Sequence, residues 1–354
     1  MNADRSKTIR NAALEYVRPN DGLALAVLTL DTTLYFAAVT FAVLSSSLLA
    51  KSLAAIIAGT AISMLFILGH DANHRSLFRG KWLNSIASRW TFFPCLHNAT
   101  LWRHQHNALH HQSTNVKNKN SFSPLSPEEY GRLPSWRRIL ERTHRNVLGF
   151  GLYYLTERWW KHKFFPRAAD PGAHAVAAWL DLLLLLVWGS AFITVIIWVD
   201  GTFGEGRPTV ALVFGFVIPF LVWNQLMGLT AFLQHTHPRA LWAEEDPVSR
   251  PPVSQIDYTI LVNYPRWYDY LSHNIMQHPV HHVNARIPWF RLYEAQQRLN
   301  TIAGDDVIVE RVSLRYVFRL MRECQLYDYE KNIWLDFAGR PTGDAISMLG
   351  APAS

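Results

Sequence analysis

The residues most able to do chemistry in this chain are histidines, which fall into short clusters. The sequence holds 16 histidines in 354 residues. The clustered ones are, in chain order, His70 and His74; His106, His110 and His111; His235 and His237; and His278, His281 and His282. Imidazoles three or four residues apart share one face of a helix, and neutral imidazole binds iron, zinc, copper or nickel. The clusters therefore predict metal binding.

The number of clustered histidines exceeds what one metal ion can use. A zinc ion takes three or four protein ligands, and haem takes one or two axial ones. Eight or nine imidazoles fit two metal ions with several nitrogen donors each. A zinc peptidase is excluded, because Asp71 stands where the HExxH motif has its glutamate base.

Four apolar blocks must position these clusters. They cover residues 23–50, 53–69, 175–199 and 209–233. The first would span about 40 Å as a helix, more than the roughly 30 Å of a bilayer core. The blocks predict four transmembrane helices in two hairpins, with short turns near Lys51 and at 200–208.

Lys and Arg are concentrated in the N-terminal arm, between the hairpins and near the C-terminus, whereas the short turns hold only Lys51 and Arg207. The positive-inside rule then predicts that both termini are cytoplasmic, in the plasma or inner membrane if the protein is bacterial. In this topology all the histidine clusters reach the cytoplasmic face. The orientation depends on the basic residues alone, so it supports a shared metal site independently.

The predicted organisation is a single membrane domain over residues 1–354. It comprises a cytoplasmic arm (1–22), a first hairpin (23–69), a cytoplasmic or interfacial segment (70–174), a second hairpin (175–233) and a cytoplasmic cap (234–354). The Trp-rich stretch 83–102 suits helices in the headgroup plane or packing within the cap, and both alternatives stay open. A helix is predicted from Glu310 to about Cys324.

Composition excludes several classes of protein. Hydrophobic residues make up 49% and charged residues 17%, which is too apolar for disorder. Two cysteines, Cys95 and Cys324, cannot form a disulfide framework. The mean hydropathy of 0.00 is the average over apolar blocks and a polar cap. The net charge of +7 is explained by topology, and no nucleic-acid motif accompanies it.

The motifs resemble the membrane-bound fatty acid desaturases, which form a superfamily with alkane hydroxylases and carotenoid hydroxylases and ketolases. The resemblance extends over about 53–328 and lies in GHDANHRS at 69–76, Trp102-Arg103, and HPVHH at 278–282 followed by Ile287-Pro288. LQHTHP at 233–238 and, more weakly, CQLYD at 324–328 are similar to the acyl-lipid Δ12/ω-6 branch.

This resemblance implies an all-α fold, with four transmembrane helices and a cytoplasmic helical cap that holds a di-iron site. The implied iron ligands are His70, His74, His106, His110, His111, His235, His278, His281 and His282. Of the pair after the fourth block, His235 is favoured over His237. Candidates for supporting the ligands through hydrogen bonds are Asp71, His104, His237 and His273. No catalytic residue beyond the metal centre and no organic cofactor are implied.

The implied activity is O₂-dependent desaturation of a fatty acyl chain, carried by a membrane lipid. A hydroxylase or ketolase acting on an alkyl chain, carotenoid or sterol stays open as an alternative. A metal transporter is a remote one, because transport sites lie near the bilayer midplane. The chain shows no HPGG motif and no cysteine cluster, so an external electron donor is expected, ferredoxin-like or cytochrome b5-like.

Some residues depart from the pattern or lie outside it. Relatives often place an acid three residues before an aromatic-x-Pro motif, and here Lys119 precedes Phe122-Ser123-Pro124. Four further histidines belong neither to the clusters nor to the supporting candidates. They are expected at the surface or an interface: His97, His144, His162 and His174.

Overall fold

The computed structural model describes residues 3–167, 175–244 and 252–346, and this part of the chain is mostly helical. It contains four helices long and apolar enough to cross a membrane: Asp21–Leu44, Leu48–His74, Val176–Phe203 and Pro208–His235. The prediction of four such segments is confirmed. The all-helical prediction is wrong in detail, because four short strands pair as two small sheets.

The helices before the third apolar segment are α1 (Ala3–Leu14), α2 (Asp21–Leu44), α3 (Leu48–His74), α4 (Lys81–Phe92), α5 (Ala99–Arg103), the π-helix π1 (His104–His110), α6 (Pro127–Arg132), α7 (Ser135–His144), α8 (Phe150–Tyr153) and the π-helix π2 (Tyr154–Phe164). The third apolar segment is α9 (Val176–Phe203). The fourth is a continuous run of α10 (Pro208–Leu212), the π-helix π3 (Val213–Val217) and α11 (Ile218–His235).

The remaining helices are α12 (Arg266–Leu271), α13 (His278–Val283), α14 (Leu292–Ala303) and α15 (Leu314–Glu323), and a 3₁₀ turn covers Pro252–Tyr258. Strands β1 (Ile260–Asn263) and β2 (Ile308–Arg311) pair in parallel, whereas β3 (Leu326–Asp328) and β4 (Ile333–Leu335) are antiparallel. Residues 310 and 311 therefore belong to a strand, and the helix predicted from Glu310 begins only at Leu314, after Ser313 caps its first turn.

The turn between α2 and α3 lies earlier than predicted. Ser47 caps α3 by accepting a hydrogen bond from the Ala50 backbone N–H, so the turn occupies Ser45 to Ser47 and Lys51 lies within the helix. The buried Lys51 ammonium donates to the Val43 carbonyl oxygen at 3.4 Å and pairs with Glu205 at 3.5 Å. The predicted break at Lys51 was wrong because its charge is satisfied where it lies, without interrupting the helix.

The chain divides into two compact units. The histidine unit comprises Met1–Arg18, His106–Phe150 and Leu229–Ser354, and the span unit comprises Pro19–Gln105 and Gly151–Gly228. The single domain expected from the sequence stays a prediction.

The span unit is built around α3. Two thirds of its apolar window is buried, against 22 to 33% for the other three segments. Its core includes Tyr35, Phe92 and Trp223, each no more than 1% exposed. Gly69 allows α4 to approach closely, since a Cβ there would lie 2.3 Å from the Thr91 hydroxyl oxygen. This contact fixes the turn of α3 that carries His70.

The histidine unit has a smaller apolar core next to its histidines. Ile9 of α1 packs with Leu261 of β1 and with Leu292 and Leu299 of α14. Val280 and Val283 of α13 join the same cluster. Apolar residues of α13 thus hold the helix in place while its histidines face elsewhere.

Candidate metal centre

Four histidines of the histidine unit converge at one point. Each offers a nitrogen within 4.8 Å of the others: His110, His235, His278 and His282, here called the anchored cluster. His110 ends π1, His235 ends α11, and the other two lie one turn apart on α13. Pro279 is tolerated in the first turn of α13, where its missing N–H leaves no helical bond unmade.

Hydrogen bonds fix the ring nitrogens of two members through oxygen acceptors. His235 Nδ1 lies 3.2 Å from the Tyr258 carbonyl oxygen, which can only accept, so this nitrogen carries the proton. His110 Nδ1 contacts the Asn120 side-chain oxygen, whose amide nitrogen already donates to the Ser113 carbonyl at 2.6 Å. In a neutral ring, a proton on Nδ1 leaves Nε2 unprotonated, which is the form that binds a metal.

Thr114 fixes His282 in the same way. Its hydroxyl donates to the His110 carbonyl oxygen at 2.8 Å, and the same oxygen lies 3.2 Å from His282 Nδ1. Because the hydroxyl proton is engaged, the oxygen accepts from His282, whose Nε2 is left unprotonated. This Nε2 is buried and has no hydrogen-bond partner among the described residues.

The converging nitrogens fit a bound metal ion. His278 Nε2 lies 2.8 Å from His235 Nε2. In the neutral His235 ring this Nε2 is an acceptor, and it meets either a proton on His278 Nε2 or a bound cation that both nitrogens share. Burial, and then the neighbouring histidines, hold the pKa of His278 and of His282 well below 6.5. Both rings are therefore neutral at pH 7, as metal binding requires.

A second convergence lies in the same unit. His111 Nε2 is 3.1 Å from His106 Nε2 and 3.2 Å from His281 Nε2. Gln255 donates from its amide to the His111 backbone carbonyl at 3.0 Å and so holds this stretch of chain. These three nitrogens also suit a metal, and the π-helical turns before His111 bring His106 next to it.

His70 and His74 belong to the span unit. Their rings lie 4.6 Å apart between centroids on consecutive turns of α3. Asp71 is fully buried, and its carboxylate lies 3.3 Å from His70 Nδ1. The role of Asp71 in supporting His70 stays a prediction. The indole of Trp102 packs edge-on against His70, with centroids 5.5 Å apart.

The other supporting candidates lie in different surroundings. His237 receives a hydrogen bond at Nδ1 from the Arg239 backbone and contacts Glu310 through Nε2 at 3.0 Å, so both its nitrogens are engaged. His273 is buried, with its ring centroid 4.9 Å from that of Trp289. His104 begins π1 and is half-buried. The structure thus brings His235, and not His237, into the anchored cluster.

The expectation of surface positions for the other histidines was wrong for His97 and His144, which are each 1% exposed. Burial lowers the pKa of His97 to about 3. His162 is half-buried, and His174 lies outside the described residues.

Sequence reasoning missed the groups that orient the rings. Thr114 directly precedes the polar sequence 115–127 and Asn120 lies within it, so neither stands out from its polar neighbours. The contact of Tyr258 is made by its backbone carbonyl, which no side-chain pattern reveals. Asn120 directly follows Lys119, the position where an acid was expected. The departure at Lys119 marked this stretch of sequence but did not identify Asn120.

Four helices long and apolar enough to cross a membrane, together with histidine nitrogens that could hold a metal ion, are the features expected of a membrane metalloenzyme. Comparison with known proteins agrees: the family model described as fatty acid desaturase matches residues 46–312, about three quarters of the chain. The chain belongs to the fatty acid desaturase family, and it is a membrane-associated oxidoreductase.

Its relatives include two cyanobacterial proteins named sn-1 oleoyl-lipid 12-desaturase. That of Picosynechococcus is 25% identical over 79% of this chain and 77% of the relative, and that of Anabaena variabilis is 26% identical over 77% and 75%. The chloroplastic omega-6 fatty acid desaturase of Arabidopsis thaliana is 24% identical over 77% of this chain and 58% of that protein.

Proposed function

We propose that this protein introduces a double bond into a fatty acyl chain of a membrane lipid, at the Δ12/ω-6 position or one like it. The observation that carries the proposal is the anchored cluster, with its unprotonated nitrogens, in a member of the desaturase family. The names of the cyanobacterial relatives supply the substrate class. Desaturation removes two hydrogens from adjacent methylenes, and these two hydrogens combine with O₂, two electrons and two protons to give two water molecules.

The nine histidines predicted as ligands would hold two iron ions, with the anchored cluster supplying four nitrogens to one of them. Bound iron supplies the activation of O₂ that breaks unactivated C–H bonds. The chain itself orients the imidazoles through Asn120, Thr114 and the Tyr258 carbonyl, and burial keeps the rings of His278 and His282 neutral. Burial of His278 and His282 keeps bulk water away from this point.

The membrane topology is part of the proposal. The four apolar helices would form two hairpins, with both termini and the histidine-bearing segments cytoplasmic. The concentration of Lys and Arg outside the short turns supports this orientation. An external one-electron donor, ferredoxin-like or cytochrome b5-like, would then reach the metal centre from the cytoplasm.

Expression in a host that makes oleoyl lipids but no polyunsaturated lipids tests this function. Mass spectrometry of the acyl chains should reveal a diunsaturated chain that is absent from cells expressing His278→Ala. A hydroxylated or oxo product without a new double bond would instead assign the protein to the hydroxylases or ketolases. Purified protein should contain close to two irons per chain, and a stable single-zinc form would contradict the di-iron assignment.

A further inference from the structure

Three arginines of the span unit lie around the end of α3 that carries His70 and His74. Arg75 follows His74 directly and caps α3 in a left-handed conformation, with φ of 59°. Arg103 follows Trp102, whose ring centroid lies 6.5 Å from that of His74. Arg89 lies on α4, the next helix along the chain. These residues are called the arginine triad.

The triad carries more positive charge than nearby acids neutralise. Asp181 of α9 accepts a hydrogen bond from Arg89 Nε at 2.7 Å, and its other oxygen accepts from the Thr100 backbone N–H at 2.8 Å. Within the described residues, no carboxylate lies within 4 Å of the exposed Arg75 or Arg103 side chains. Partial burial, and then the charges of Arg89 and Arg75, lower the pKa of Arg103. Among the described residues, Asp181 therefore pairs with Arg89 alone, and the guanidinium groups of Arg75 and Arg103 have no ion-pair partner.

The surroundings place this charge at the level of lipid headgroups. Arg75 is the first residue after an apolar helix long enough to span the membrane. Helix α4 exposes Trp82, Ile86 and Trp90, spaced four residues apart, with exposed fractions of 66, 59 and 40%. Such a stripe is typical of a helix lying in the membrane interface, and basic pockets there bind lipid phosphates.

We propose that the arginine triad binds the phosphate group of a membrane glycerophospholipid, which is the substrate lipid of this enzyme. Arg75 and Arg103 contribute the unpaired guanidinium groups, and the Asp181 carboxylate holds Arg89 in place beside them. Guanidinium groups bind phosphate oxygens through paired hydrogen bonds, which gives the contact direction as well as charge. A headgroup held next to His74 sets the point at which the acyl chain of the same lipid enters the protein. The inference rests on the proposed function for the statement that the bound lipid is the substrate.

The test compares two bilayers that carry the same oleoyl chains under different headgroups. The full-length protein is placed in nanodiscs of dioleoylphosphatidylglycerol or of the neutral monogalactosyldioleoylglycerol. We expect the double variant Arg75→Gln/Arg103→Gln to raise the KM for the phospholipid at least about tenfold with kcat little changed. Turnover of the galactolipid should be unaffected. Arg89 is left intact, because its removal would also release Asp181.

The matched control is Arg79→Gln, which removes one exposed arginine from the connection between α3 and α4. It should leave both lipids' kinetics unchanged. Equal losses on the two lipids in the double variant would overturn the proposal, because they would indicate a structural role. An equal loss in Arg79→Gln would also overturn it, because general surface charge would then explain the effect.

A binding measurement separates this inference from the proposed function. The purified full-length protein, with its metal in place, is washed in detergent, and the retained lipid is quantified by mass spectrometry. The wild type should keep phosphatidylglycerol, and the double variant should lose it. Displacement of the lipid by inorganic phosphate alone would assign the site to free phosphate and overturn the lipid assignment. If the wild type retains phospholipid but forms no double bond, the proposed function fails while the phosphate site stands.

Discussion

The histidine unit and the span unit both bury histidines, but they use the ring nitrogens differently. In the anchored cluster, oxygen acceptors take the Nδ1 protons of His110, His235 and His282 and leave their Nε2 atoms converging. In the span unit, His97 donates from Nδ1 to the Cys95 carbonyl at 2.9 Å, and its Nε2 accepts from the Tyr154 hydroxyl at 3.0 Å. His235, His282 and His97 are all buried, so the fate of the second nitrogen is what separates a proposed ligand from a structural histidine.

The largest expected effect comes from removing a member of the anchored cluster. His278→Ala, or the more conservative His278→Gln, should lower turnover by about 1000-fold or more and reduce bound iron, because one ligand nitrogen is lost. Metal analysis and acyl-chain profiling check this. The control is His237→Gln, whose nitrogens are engaged by Arg239 and Glu310, and it should keep its iron. Loss of iron in the His237 variant would indicate that His237, and not His235, is the ligand that follows the fourth apolar segment.

A smaller effect is expected from the groups that orient the rings. Asn120→Ala and Thr114→Val remove the acceptors of the His110 and His282 Nδ1 protons, which frees the rings to rotate or change tautomer. Metal affinity should fall roughly 10- to 100-fold. A chelator competition assay measures it.

The matched control for Thr114 is Thr301→Val, the same substitution at an exposed position of α14. It should leave metal affinity unchanged. If Thr114→Val binds metal as tightly as the wild type, the tautomer argument for His282 is wrong.

His97 should affect stability and its pH dependence without affecting the metal. Its pKa in the folded protein is about 3, below the ordinary value of 6.5. The contribution of the neutral ring to the free energy of unfolding is therefore complete above pH 6.5 and is lost as the pH falls toward 3. Between pH 7 and pH 5 this loss amounts to about 2 kcal/mol. His97→Gln should weaken the pH dependence of the free energy of unfolding by about this amount, with iron content unchanged.

Unfolding in mixed micelles at a series of pH values measures this effect. His162→Gln serves as the comparison, since that histidine is only half-buried. Identical pH dependence in the wild type and the His97 variant would show that His97 does not titrate as its burial implies. Loss of iron in the same variant would remove the distinction between the two kinds of buried histidine.

Local patterns in the sequence predicted much of this arrangement. The uncharged length of the apolar blocks predicted the four membrane-length helices. The four-residue spacing predicted that His278 and His282 share a face of α13, but His106 and His110, also four residues apart, lie in a π-helix and join different clusters. The turn at Ser45 to Ser47 was misplaced because a single charge, Lys51, suggested an interruption. The hydrogen bond of the Lys51 ammonium to Val43 and its ion pair with Glu205 depend on packing between segments.

The sequence by itself determined the type and spacing of the proposed metal-binding residues and the helices that carry them, because both are properties of short stretches of chain. Tertiary structure alone decided which nitrogen of each ring is presented and whether a histidine is buried. Thr114 and His282 are 168 residues apart, and His235 contacts a carbonyl 23 residues away. Such contacts leave no periodic signal in the sequence, since they form only when distant segments pack together.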